Sequence, residues 1–181
     1  MSSFDAEPPE EYVDFGDRND LGQRAAEPSA INWNLLDADE AAAEWRDLDA
    51  WVHWLKTTFG LTPATVPPYW HRHDELIWEL SALHTHFLAC YEETASPSAP
   101  IAWMRDFAEA RHRLREWVAI CGTRLDRDRP TRQTSWPGEP PEATTAEVEM
   151  GDRAADFDEF VRADLLRRRR IAQLASRQLL G

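Results

Sequence analysis

The stretch WHRHDELIWELSALHTH, residues 70–86, holds four of the chain's six histidines together with Asp74, Glu75 and Glu79. Imidazoles and carboxylates at this density are the donor set of a metal centre or of an acid–base pair. Spacing decides between that chemistry and a plain helix face. At about 100° per residue, Leu76, Ile77, Leu80, Leu83, His84, Phe87, Leu88, Cys90 and Tyr91 share one apolar arc of about 160°. His84 falls inside that arc, whereas His86 projects about 160° away, on the side of Glu75 and Glu79. The two cannot share an ion. Glu79 and His86 are seven residues apart, about 10.5 Å of helical rise, which is too far for one cation. Compact helical sites repeat their donors at three or four residues. The stretch therefore reads as a helix face without a metal site: a core histidine plus solvated polar groups. His71 and His73 precede the helix, in a loop after two prolines, and stay open to a carboxylate from another segment. Convergence of His71, His73 or His86 with such acids around a shared cavity would bring catalysis back to the front.

Other chemistries find little support. The seven glycines form no phosphate-binding loop, and no serine sits in a nucleophile elbow. Cys90 and Cys121 fall on apolar stripes, where a thiol behaves as a small inert hydrophobe. Neither a catalytic residue nor a cofactor site is expected, and the chain reads as a non-enzyme. Two cysteines without metal-type spacing fit a reducing cytoplasm. The N-terminus, MSSFDAEPPEEYVDFGD, lacks the basic and apolar regions of a signal peptide. No apolar run approaches membrane-spanning length.

Which elements must position these residues? Residues 1–36 are rich in Asp, Glu, Pro and Ala without periodicity, and read as a disordered acidic arm. Within it, EEYVDFGD sets Tyr12 and Phe15 among acids, a pattern able to dock into a partner's groove. The first helix starts near Asp37, with Glu40 at capping-box spacing. Trp45, Leu48, Trp51, Val52, Leu55 and Phe59 share its face, and Gly60 stops it. A second helix covers about 74–93. A third opens at Pro100, buries Trp103, Phe107, Ala110, Leu114, Trp117, Val118 and Cys121, and stops at Gly122. Residues 123–146 read as a proline-rich linker, and 147–181 as a charged amphipathic helix. No segment alternates apolar and polar residues, so strands are not expected. The fold class is all-α: a small antiparallel three-helix core over 37–122 with an additional C-terminal helix.

Charge is unevenly placed. The formal net charge is -13, of which residues 1–50 carry -11, while residues 160–181 carry +5. An acidic chain repels nucleic acid phosphate at long range, although its basic end escapes that argument. The last helix, 147–181, carries DLLRRRRIAQLASRQLL and places Arg162, Arg169, Arg170 and Arg177 opposite a weak apolar stripe. Arg168 interrupts the stripe. With Arg167, these arginines are the candidates for nucleic-acid binding. Trp54 and Trp78 break the pattern differently, for each projects away from its helix's main stripe beside small residues. They are candidates for a protein partner's interface or for self-association, if the chain itself does not cover them.

WVHWLKTTFG, VPPYWHRHDELIWELSALHTHFLACY and APIAWMRDFAEARHRLREWVAICG together resemble a domain family of unknown function in actinobacteria. The resemblance rests on Trp51 and Leu55; Pro68, Trp70 and His73; Glu79, Leu80 and Leu83; Pro100 and Trp103; and Leu114 with Trp117. It covers roughly residues 48–122. Here Cys121 precedes Gly122, where that family's pattern has Gly before Cys. Members are often encoded beside plasmid-transfer and integrative-element genes, so the resemblance implies an accessory protein of a mobile element. It supplies no catalytic residues. The expected function is that of a non-enzymatic adaptor working through protein contacts, with nucleic-acid association through the arginine-rich helix as the alternative.

Overall fold

The computed structural model describes residues 29–131, 134–140, 147–149 and 151–179. The acidic segment 1–28, with Tyr12 and Phe15, lies outside the described residues. Four helices make the body: α1 (Ala38–Phe59), α2 (Asp74–Cys90), α3 (Ala99–Cys121) and α4 (Arg153–Leu179). The class is all-α. No helix among the described residues is long and apolar enough to cross a membrane.

Local chemistry sets most boundaries. The Asp37 carboxylate accepts from the backbone N–H groups of Asp39 and Glu40, both at 2.8 Å, and the Glu40 carboxylate accepts from the Asp37 N–H at 2.9 Å. This reciprocal capping box satisfies otherwise orphaned donors at the start of α1. Gly60 and Gly122 end α1 and α3 in the left-handed region, at φ 58° and 69°, where glycine carries no Cβ penalty. At Gly122 the missing Cβ also leaves room for the Arg129 guanidinium, which donates from Nε to the Cys121 carbonyl at 2.9 Å. α2 ends at Cys90, three residues before the expected limit, since Tyr91 already leaves helical geometry.

The apolar stripes meet over most of their length, but Leu88 and Tyr91, expected in the arc of α2, are exposed where that helix ends. Leu48, Leu55, Leu76, Leu80, Leu114, Trp70 and Trp103 are fully buried, and each such aliphatic side chain removed from water stabilises the fold by about 1.5–3 kcal/mol. Trp117 is a correction: expected in the stripe of α3, it lies at the stripe's edge and is 38% exposed.

Three features lie outside what periodicity foresaw. Strands were not expected, yet residues Arg127–Asp128 (β1) pair antiparallel with Val148–Glu149 (β2), Arg127 opposite Glu149 and Asp128 opposite Val148. A ladder of two residues is too short to leave an alternating pattern. Its pairing follows from the path of residues 123–131, which fold against α2 with Thr123 and Asp128 buried. The last helix begins at Arg153, because β2 occupies 148–149 and the Asp152 carboxylate caps the N–H groups of Ala154 (2.9 Å) and Ala155 (3.1 Å). Finally, the core extends past 37–122. Trp33, assigned by its sequence setting to the arm, is buried with its ring 4.4 Å from Trp45. Phe157, Phe160, Val161 and Leu165 of α4 pack on the same cluster.

Candidate functional site

The sequence pattern placed His71 and His73 in a loop. They belong to a 3₁₀ turn (Trp70–Arg72) and to the N-cap of α2, and both are buried. Two residues apart across this bend, they reach opposite partners. His71 Nε2 lies 2.7 Å from Asp156 of α4, and Arg72 bonds the same carboxylate through Nε at 3.0 Å and through Nη2. Burial pushes the His71 imidazole down to about 4 despite Asp156, so at neutral pH it is uncharged and donates Nε2–H. Its Nδ1 has no partner, and the ring stands edge-on to Phe157 at 5.2 Å and Phe160 at 5.3 Å. Burial opposes the charge on Asp156 as well, but Arg72 and His71 prevail and hold its carboxyl below the usual range.

His73 has the opposite electrostatics. Its Nε2 lies 2.8 Å from buried Asp128 and its Nδ1 3.1 Å from Thr131 Oγ1, whose hydroxyl donates to Glu75 at 2.5 Å. Burial works against a charged ring, but the bonds to Asp128 and Cys121 win and raise it to about 9. A doubly protonated imidazole thus donates to both Asp128 and Thr131. His73 makes no side-chain cap for α2, which leaves its ring for this network.

The paired histidines of HTH diverge, as the helical wheel requires. His84 stacks on Trp51 of α1 with ring centroids 4.8 Å apart, while His86 Nε2 lies 3.1 Å from Asp106 of α3. Burial lowers His84 to about 4, and this carries a pH prediction. The unfolded chain takes up this proton near pH 6.5, the folded chain only near pH 4. The stability is therefore complete above pH 6.5 and is lost as pH falls through that window, up to about 3 kcal/mol. Between pH 7 and pH 5 the native chain should lose about 2 kcal/mol more than His84→Leu in urea titrations. Equal losses in the two chains would remove His84 from the account.

A cleft of about 760 Å³ opens between residues 33–39, the first turns of α2 and the second half of α4. Trp33, Leu35, Trp78, Arg167, Arg169 and Ile171 are among its lining residues. Trp78, expected to face outward, is 39% exposed on this wall. Trp54, expected to do the same, is half-buried, because Phe87 of α2 at 5.0 Å and Phe59 at 6.0 Å cover it within the chain. Neither His71 nor His73 lines the cleft. The acids do come to the histidines, but not around this space.

The arginine cluster divides. Arg168, the apparent fault in the apolar stripe, is a half-buried structural group: Nε donates to Asp164 at 2.7 Å, and Nη1 donates to the backbone carbonyls of Trp33 at 2.8 Å and Leu36 at 2.7 Å. Trp45 Nε1 donates to the same Asp164 oxygen as Arg168, at 3.2 Å, and Arg167 bonds the other oxygen. Burial disfavours the Asp164 charge, yet Arg168, Trp45 and Arg167 together keep its carboxyl below the usual range. Arg162, Arg169, Arg170 and Arg177 are exposed, with Arg169 3.6 Å from Asp39. Sequence reasoning missed Asp128, Asp156 and Asp164 altogether. For Asp164 a signal existed: two opposite charges four residues apart, both on the apolar side of a helix.

These contacts define an all-α, tryptophan-rich protein in which His71 and His73 serve buried polar networks. No family model, no curated protein and no solved structure matches the chain.

Proposed function

We propose that this chain is a non-enzymatic helical adaptor that grips a partner protein in the cleft beside α4. The setting would be the mobile genetic element, including plasmid transfer, that the sequence resemblance implies. One observation carries the reading: the second half of α4, residues 169–178, is exposed all round while still helical. An amphipathic helix of this length gains most of its stability from packing its apolar face, and here Ile171 (55%) and Leu174 (53%) have no cover. The cleft offers apolar surface at Leu35, Trp78 and Ile171 beside the cations Arg167 and Arg169. That combination fits an apolar segment flanked by acidic residues, and a second copy of this chain is one such partner.

The nucleic-acid alternative draws on Arg162, Arg169, Arg170 and Arg177, with Arg167 shared with Asp164, but loses Arg168 to that carboxylate. Proteins captured from the native host by the full chain should be identified, purified and titrated against the native chain and Trp78→Ser/Ile171→Asp. The double variant is expected to bind at least about tenfold more weakly, as befits loss of a buried anchor. Equal affinities sink the cleft as the docking surface. Salt-dependent retention on DNA that Arg169→Glu/Arg170→Glu abolishes would move the reading to nucleic acid.

A further inference from the structure

Three separate pieces of chain meet beside the start of α2. His73 and Glu75 come from its N-cap and first turn, Cys121 is the last residue of α3, and Asp128 and Thr131 follow in the next segment. One donor atom from each of His73, Glu75 and Cys121 lies within 4.8 Å of the other two. We propose that these three side chains bind a single divalent transition-metal ion of the zinc class, with Asp128 orienting His73 from behind.

The donor chemistry selects the ion. A thiolate, an imidazole and a carboxylate suit a borderline cation, whereas magnesium and calcium take oxygen donors. Zinc bonds of about 2.0–2.3 Å place tetrahedral donors about 3.3–3.8 Å apart, so the set needs to contract by about 1.5 Å at most. Asp128 occupies the position of an outer carboxylate. At 2.8 Å it fixes the proton on Nε2 and turns Nδ1 toward Thr131 and Glu75, the arrangement that orients metal-bound histidines generally. The Thr131 hydroxyl, 3.1 Å from Nδ1 and 2.5 Å from Glu75, bridges the imidazole and the carboxylate. On binding, nitrogen, sulfur and oxygen each donate a lone pair. The Nδ1 proton and the Cys121 thiol proton leave to solvent, with no change of oxidation state. His73, Cys121 and Asp128 are buried and Glu75 is half-buried, which suits a structural role: the ion ties the end of α3 to the start of α2.

Metal-free, untagged full-length chain should be titrated with zinc and with cobalt under reducing conditions. One equivalent is expected to bind and to raise the thermal midpoint, and the cobalt form should show thiolate-to-metal charge transfer. Cys121→Ser should abolish that band and weaken zinc binding about 100-fold, and Glu75→Gln should weaken it about tenfold. Cys90→Ser is the control, since Cys90 lies 3.6 Å from His86 outside the set; it should change neither. Should Cys121→Ser fail to fold, Glu75→Gln and the cobalt spectrum of the native chain decide. The proposal is overturned if less than about a tenth of an equivalent survives gel filtration, or if charge transfer is absent. It is equally overturned if the band survives Cys121→Ser and disappears with Cys90→Ser.

Discussion

Replacing Asp164 with alanine is expected to destabilise the protein by about 3–5 kcal/mol, the usual cost of stripping the counter-charge from a buried ion. Asp164 is 8% exposed and accepts from Trp45, Arg167 and Arg168. Without it, Arg168 keeps its charge in an apolar setting, and the Trp45 indole N–H loses its acceptor. Arg167→Ala is the calibrating variant. Its side chain is mostly exposed, and the screened pair it forms should be worth under about 1 kcal/mol. A double change, Asp164→Leu with Arg168→Met, tests the network from the other side. Apolar replacement often rescues a buried ion pair, but here the carbonyls of Trp33 and Leu36 would lose their donor, so recovery should stay incomplete. Urea titrations of the four chains supply the comparison. If Asp164→Ala cost less than about 1 kcal/mol, burial of the pair would have no energetic meaning.

Trp103→Ala should be comparably severe, at about 3–5 kcal/mol. The indole is fully buried, stacks on Phe107 at 5.0 Å with planes 15° apart, and meets Phe87 edge-on at 5.2 Å. Its Nε1–H donates to the Leu83 carbonyl at 3.3 Å, joining α3 to α2. Truncation leaves a cavity walled by rings on both helices, and rigid rings collapse poorly into such a space. Trp103→Phe keeps the stack and drops the hydrogen bond, for an expected loss of about 1–2 kcal/mol. Chemical denaturation monitored by circular dichroism separates the two. Similar losses for both substitutions would mean that the ring volume contributes little.

What could be read from the chain follows the range of the interactions. The Asp37–Glu40 box, the stops at Gly60 and Gly122 and the Asp74 start of α2 depend on neighbours within four residues, and periodicity finds them. The partners of the histidines do not. Asp156 is 85 residues from His71, Asp128 is 55 from His73, and Asp164 is 119 from Trp45. No pattern along the chain encodes such a separation; only packing of α4 and of residues 123–131 on the core creates it. The wheel correctly sent His84 and His86 apart, because both lie on one regular helix. It said nothing useful about His71 and His73, whose directions are set by a 3₁₀ turn, nor about Cys121, whose apolar stripe concealed a cluster with His73 and Glu75. Trp33 failed for a related reason. An isolated indole in a proline-rich, acidic setting has no periodicity, yet it packs on Trp45 because Arg168 holds its carbonyl.

That hold has a consequence for the chain's two ends. One guanidinium fastens the residues just before α1 to the middle of α4, so neither can come loose without unseating the other. The two segments are thermodynamically linked through this clasp, and whatever free energy order in one lends the other, order in the other lends back equally.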